Sequence, residues 1–314
     1  MTCELGTNYL GNTLREFGKQ QLKYLRNTQP FNWVATTLVR SLLRITRVEG
    51  AAVTKHLHRC GTVKARLPNG RTLQLWSRGD DWVSNQIFWN GWNAYETETL
   101  SLFFKLASRA EVILDVGAHV GVFSLVAAHA NPSARVFAFE PVPTTYQRLQ
   151  SNVALNDLNN LRCFQSALGD KDETAEVFHQ SGMTFTASLS REFMHWQPNW
   201  SSSMVAVITG DKFVEQNGLR KVDLMKIDTE STEPQVLAGM LKTIERDRPN
   251  IICEVLPDLT ERSIENLLAP LGYSFYRITD RGLVRQEKIT GDLTFRNYLF
   301  STSADESRIV VKND

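Results

Sequence analysis

The 314-residue chain is 42% hydrophobic and 22% charged, a balance that supplies a sizeable core and excludes disordered, collagen-like, mucin-like and disulfide-scaffold classes. Single cores rarely grow past roughly 250–300 residues, so a principal domain with an appendage is expected: a helical and β-hairpin appendage over 1–79 and an α/β domain over 80–314, with its core at 111–256. The formal charge of +1 conceals a basic start: up to Gly79 there are 13 Lys and Arg against 3 Asp and Glu, a formal +10, and the remainder holds 22 against 31, a formal −9.

Such a start attracts anionic partners: phosphates, nucleic acid or a membrane face. Arg15, Lys19, Lys23, Arg40 and Arg44 are nevertheless spaced like the wet sides of amphipathic helices, and a solvated face is the simpler expectation. Thr13-Leu14-Arg15-Glu16 reads as a capping box. The helix it opens carries Leu14, Phe17, Leu22 and Leu25 on one face and ends at Pro30; Phe31, Val34, Leu38, Leu42 and Ile45 then recur at helical spacing. Between Thr62 and Trp76 the period changes to two around Asn69-Gly70, which predicts a hairpin. Trp82, Phe88, Trp89 and Trp92 follow as packing residues, and Thr97–Leu106 as a helix.

From Glu111 onward strand and helix patterns alternate, which implies parallel pairing. Short apolar runs predict strands at Val112–Val116, Arg135–Glu140, Leu161–Ser166, Val222–Ile227 and Ile251–Val255, with helices at Thr144–Leu155 and Glu233–Asp247. Glu176–Phe178 and Met204–Ile208 read as short extra strands. Tyr273–Ile278 and Phe295–Phe300 form a closing antiparallel pair after a helix at Leu259–Leu268. The start M-T-C-E-L-G-T-N-Y-L lacks the pattern of a secretory leader, and no apolar run approaches the roughly 18 residues of a membrane span. Cys3, Cys60, Cys163 and Cys253 form no C-x-x-C pair, which suits a reducing compartment; the expected location is the cytoplasm.

Asp115-Val116-Gly117-Ala118-His119-Val120-Gly121 closes the first strand and opens a helix, at the end of an α/β sheet where ligands bind. Its G-x-x-x-G spacing is not the G-x-G-x-x-G that admits a pyrophosphate. Glu140 ends the second strand, where a carboxylate can accept from both hydroxyls of a ribose. With Asp115 facing an ammonium group, the pair describes a nucleoside bearing an amino acid, as in S-adenosylmethionine. The third signal is Val222-Asp223-Leu224-Met225-Lys226-Ile227-Asp228-Thr229-Glu230-Ser231-Thr232-Glu233, a strand running into an acidic turn and a helix. Helix capping explains at least one residue of Glu230, Ser231 and Thr232. It does not explain Lys226, because a lysine inside an apolar strand needs a partner or a pocket.

These pieces resemble the FkbM-type branch of class I S-adenosylmethionine-dependent methyltransferases. The likeness is carried by D-V-G-A-H-V-G, F-A-F-E-P-V-P, L-N-D-L-N-N, S-A-L-G-D, the Val222–Glu233 run and R-P-N-I-I-C-E-V, with N-Y-L-F at Asn297 and Tyr95-Glu96 upstream. It implies a Rossmann-like, mostly parallel sheet with an antiparallel closing strand. Asp115, Gly117, Ala118, His119 and Gly121 would then serve the cofactor's methionine end, Tyr95 and Glu96 would close over the methionine or the acceptor side, Glu140 and Pro141 would serve the ribose, and Ala167 and Leu168 the adenine edge. Lys226, Asp228, Glu230 and Glu254 would line the transfer site, with Asp228 the first candidate for base and also near the cofactor. His195, in the polar segment between Ser181 and Ser203, is another candidate base, and Trp196 and Trp200 flank it.

Were Asp228, Glu230 and Glu254 to converge they would suit Mg²⁺; spacing leaves that open. The resemblance departs at His119, more usually Asn, and at Ser231-Thr232, where Gly followed by a small or aromatic residue is commoner. The implied activity is O-methylation of a small or glycosidic metabolite such as a sugar or polyketide natural product, with a small-molecule acceptor as partner and a homo-oligomer compatible. The competing readings are a nucleic-acid-directed methyltransferase or binding protein, disfavoured by the lack of a recognised RNA module, and a catalytically silent assembly subunit.

Overall fold

The computed structural model describes residues 29–46, 54, 57–180, 187–194 and 200–302. The Thr13 capping box and its helix, His195 and Trp196 lie outside the described residues. The chain forms two compact units, residues 1–65 with 74–92 and residues 66–73 with 93–314.

The first unit contains α1 (Gln29–Thr46), α2 (Trp82–Asn90) and most of the strands β1 (Cys60–Arg66) and β2 (Thr72–Arg78), whose connecting turn over 66–73 is assigned to the second unit. The hairpin turns at Asn69-Gly70 as the dipeptide demands: Gly70 adopts φ 83° and its amide donates to the Leu67 carbonyl at 2.9 Å. Asp81 caps α2 by accepting from the amides of Val83 and Ser84. One expectation is reversed in α1, whose polar side turns inward. Asn32 and Thr36 are fully buried, while Phe31, Val34, Leu38, Leu42 and Ile45 are exposed. Arg40, expected on a wet face, instead lies 4.6 Å from the centroid of the Phe88 ring.

The second unit opens with α3 (Thr97–Ala107), β3 (Val112–Val116), α4 (Val122–Ala130), β4 (Arg135–Phe139), α5 (Pro143–Leu155) and β5 (Leu161–Phe164). It continues with β6 (Ala167–Gly169), β7 (Glu173–Gln180), β8 (Ala187–Ser188), α6 (Arg191–Met194), β9 (Trp200–Thr209) and α7 (Gly210–Gln216). Then come β10 (Leu224–Ile227), α8 (Glu233–Ala238), α9 (Leu241–Asp247), β11 (Asn250–Glu254), α10 (Glu261–Leu268), β12 (Tyr273–Thr279), β13 (Gly282–Gln286) and β14 (Asn297–Thr302).

Eight of these strands form one sheet in the order β13-β12-β14-β11-β10-β3-β4-β5. Its centre, β11 to β5, is parallel, and β14 runs antiparallel between β11 and β12. This is the Rossmann-like class I methyltransferase arrangement. β3 and β10 are buried at every residue, as both-face coverage requires. The long apolar cluster beneath the site joins Val116, Phe139, Phe213, Ile227, Met240 and Tyr298.

Two expectations need correction. The run Leu161–Ser166 stops pairing at Phe164, and the chain passes into a separate four-stranded sheet, β6-β9-β7-β8, whose strands β7 and β9 are longer than the short extra strands expected. The single helix over Glu233–Asp247 is two. A Cβ on Gly239 would lie 1.8 Å from the Gly169 carbonyl oxygen, so two backbones touch where the helix breaks. Asp211 then caps the second half, accepting from the Thr243 amide at 2.8 Å and the Lys242 amide at 3.1 Å. Because the obstacle is main chain, Gly239→Ala is expected to destabilise the protein by about 1–3 kcal/mol, read as a lower denaturant midpoint with the slope unchanged.

Candidate active site

The loop after β3 approaches its neighbours closely. The amides of Gly117 and Ala118 both donate to the Phe139 carbonyl, at 3.0 and 2.9 Å. Gly117 has φ 82°, and a Cβ there would meet the Asp228 carbonyl oxygen at 1.8 Å; only glycine lets the end of β10 come this near. His119 has φ 51°, a left-handed conformation that Asn and His tolerate better than most residues. Its departure from the usual Asn therefore preserves the backbone path.

Glu140, just beyond β4, accepts from the His119 amide with one carboxylate oxygen and the Val142 amide with the other, each at 2.9 Å. Burial pushes its carboxyl up to about 7, against the pull of those two amides. Asp115, at the end of β3, accepts from the Ser124 hydroxyl, and burial raises it to about 6. The charge of Asp115 also raises Glu140, so the two carboxyls share one electrostatic environment. Gly121 keeps φ 92° at the start of α4, and its amide donates to Ala118. Pro141 continues the chain towards α5. Ala167 and Leu168 are buried on β6 in the four-stranded sheet, with Ala167 beside Val207 and Leu168 beside Ile208.

Lys226 links this loop to the acidic turn. It is 1% exposed, and its ladder partner on β3 is Asp115. Its ammonium lies 2.9 Å from Asp228 Oδ2 and 5.0 Å from the centroid of Phe123. Burial alone would lower the ammonium's pKa, but Asp228 and Glu96 outweigh it and hold the pKa above the ordinary value. Glu96 is raised by burial and lowered by Lys226. It sits at φ 45°, accepts from Asn297 Nδ2 at 3.0 Å and is hydrogen-bonded by Tyr95.

Beyond Asp228 the chain turns sharply, with Glu230 at φ 53° and Ser231 at φ 91°. Ser231 thus holds a conformation that favours glycine, the residue that the family resemblance places there. The turn is held from inside by Glu233, fully buried at the start of α8. Its Oε1 accepts from the Thr229 amide at 2.9 Å, the Thr229 hydroxyl at 3.0 Å and the Ser231 amide at 3.2 Å.

At the end of β11, Glu254 places Oε1 3.6 Å from Arg296 Nη1, and its buried Oε2 has no hydrogen-bond partner among the described residues. Burial pushes Glu254 to about 10 and Glu230 to about 8, each also raised by Asp228. Oxygens of Asp228, Glu230 and Glu254 lie within 4.8 Å of one another, and among the described residues this is the one group of His, Cys, Asp and Glu so placed.

The structure therefore gathers Glu96, Asp115, Gly117, Lys226, Asp228, Glu230 and Glu254 around the adjoining ends of β3, β10 and β11. Sequence reasoning gave no chemical part to Asn297 or Glu233. The only signal for the first was its place in N-Y-L-F; for the second it was an acid shortly after Thr229, the arrangement by which a helix start recovers its amides.

Asp115, Glu140, Glu230 and Glu254 all titrate above their unfolded values, so their contribution to stability is complete below about pH 4 and is lost as pH rises through about 6, 7, 8 and 10. The melting temperature of the ligand-free protein is expected to fall from about pH 5 to pH 9. In Glu254→Gln the decline should be shallower, as thermal scans across that range will show.

Comparison with known proteins matches residues 115–275 to the family described as Methyltransferase FkbM domain. Methyltransferase sdnD of Sordaria araneosa is 27% identical over 192 residues, covering 52% of this chain and 74% of that protein. Hexuronic acid methyltransferase AglP of Haloferax volcanii is 28% identical over 177 residues, covering 55% and 68%. The 31-O-demethyl-FK506 methyltransferase FkbM of Streptomyces tacrolimicus is 26% identical over 202 residues, covering 56% and 74%. The chain belongs to the FkbM methyltransferase family and is an S-adenosylmethionine-dependent methyltransferase.

Proposed function

We propose that the chain is an O-methyltransferase acting on a hydroxyl of a small or glycosidic metabolite. The observation that carries this is the acidic tip of β10, where Asp228 is fixed by a buried lysine and converges with Glu230 and Glu254 beside the glycine loop. Relatives named for hexuronic acid and for a demethyl-FK506 substrate support the acceptor class.

The residues fit S-adenosylmethionine. Each Glu140 oxygen spends one lone pair on a backbone amide and keeps another for a ribose hydroxyl. Buried carboxyls outnumber the cations beside them, which suits a ligand carrying sulfonium and ammonium charge. In this reading Asp115 and Glu96 favour the methionine ammonium, the Gly117–Gly121 loop with Ala118 and His119 admits the methionine part, Pro141 borders the ribose, and Ala167 and Leu168 border the adenine.

Bound S-adenosylmethionine supplies an electrophilic methyl. Transfer of that methyl to an acceptor oxygen would leave alignment of the acceptor as the chain's main task. Asp228 takes the hydroxyl proton and Lys226 keeps the carboxylate aimed. Glu230 orients the acceptor; His195 is the other candidate base. Asp228, Glu230 and Glu254 also fit Mg²⁺, given three converging hard oxygens and an unpartnered Glu254 Oε2; a divalent ion there would lower the acceptor's pKa by coordination.

Purified protein incubated with S-adenosylmethionine and a panel of glycosides, polyketides and small acids should yield an alkali-stable methyl ether by mass spectrometry; exclusive formation of methyl esters or methylamines would overturn the assignment. Glu140→Ala should weaken cofactor binding at least tenfold by calorimetry. Asp228→Asn should leave that affinity within severalfold yet cut kcat by about 10²–10⁴. If the three carboxylates hold Mg²⁺, a chelator will reduce turnover and added Mg²⁺ will restore it.

A further inference from the structure

Helix α1 is built inside out. Its inward side is polar: Asn32 donates to the His58 carbonyl at 2.8 Å and accepts from the Cys60 amide at 2.7 Å. The Arg59 guanidinium donates to the Thr36 hydroxyl at 2.7 Å and to the Trp33 carbonyl at 3.0 Å, and Arg40 and Arg59 both stand over the Phe88 ring. These bonds fix the helix's rotation. Its outward side is a continuous stripe of Phe31, Val34, Leu38, Leu42 and Ile45, spaced three or four residues apart and between 48% and 80% exposed. A stripe of this kind is ordinarily the face a helix buries, and here the face that could have been solvated has been spent on packing.

We propose that this stripe docks on the surface of an anionic lipid bilayer. Charge selects that occupant: the first 79 residues carry 13 Lys and Arg against 3 Asp and Glu, a clear basic excess even without Arg40 and Arg59, which pack over Phe88, and apolar insertion combined with basic residues is the arrangement that holds interfacial helices to anionic lipid. No helix among the described residues is long and apolar enough to cross a membrane, so α1 lies in the interface plane. A second copy of the chain fits less well. Five side chains fall far short of the roughly 20–30 residues per side of a stable interface, and two regions of like charge would repel.

The test is co-sedimentation of the full-length protein with vesicles of phosphatidylglycerol and phosphatidylcholine, against vesicles of phosphatidylcholine alone. Binding to the anionic vesicles is expected, weakening as salt rises. The double variant Leu38→Ser, Leu42→Ser should lower that partition by at least about tenfold, with melting temperature and S-adenosylmethionine affinity unchanged because both side chains are exposed. Three outcomes would overturn the proposal. One is no binding to anionic vesicles at low salt, which is also the result if the chain's own first residues cover the stripe. Another is binding that the double variant leaves intact, which would reduce the attraction to charge alone. The last is a dimer in sedimentation velocity that the double variant converts to monomer, which would make the stripe a contact between copies.

Discussion

A single buried ammonium organises the acidic end of this sheet. Lys226 sits in an interior strand of the sheet's parallel part, where every neighbour should be apolar, and an isolated charge there would cost several kcal/mol. It is tolerated because Asp228, just past the end of its own strand, pairs with it directly, and because the charges of Asp115 on β3, Glu254 on β11 and Glu96 ahead of α3 act on it as well. The dependence is mutual. Those carboxylates come from strand ends that the sheet forces together, and without the lysine their crowding would be paid in protonation. The arrangement remains acid-rich, and burial holds several of its members towards their neutral forms. It therefore has an unused capacity for positive charge, which is what an adenosyl sulfonium, an amino-acid ammonium or a divalent ion brings.

The backbone carries a matching signature. Glu96, His119, Glu230 and Ser231 all occupy left-handed conformations, and all belong to the site or its turn. Strain of this kind persists where the surroundings over-determine it, and here those surroundings are visible: Glu140 takes the His119 amide, Glu233 takes two amides and a hydroxyl of the turn, and Ser188 donates its hydroxyl to the Glu230 carbonyl at 2.6 Å. The two places where the chain departs from its relatives' usual residues, His119 and Ser231, thus alter side chains while keeping the path of the main chain.

Much of this was legible in the sequence. Apolar runs located β3, β4, β10 and β11 to within two residues at each end, because strands covered on both faces admit little else, and a lysine inside one of them announced its own need for partners. What escaped has physical causes. The break at Gly239 depends on a backbone that arrives from β6, far away in sequence, and no local periodicity records such a collision. The convergence of Asp228, Glu230 and Glu254 depends on strand order, which spacing does not encode. The inversion of α1 was invisible for a different reason: hydrophobic periodicity says that a helix has two faces, and only the partners of Asn32 and Thr36 say which of them is inside.

The position of β14 gives the fold an order of events. Asn297, the residue that holds Glu96, arrives on a strand that must slot between β11 and β12 after both have left the ribosome. Until then, β11 and β12 each present an open edge towards the gap, and Glu96 lacks its amide partner. During synthesis the sheet's parallel half can assemble vectorially, strand beside strand, but the pocket cannot mature until this late insertion occurs. A chain short of that insertion leaves two strand edges unpaired, the condition under which mispairing occurs.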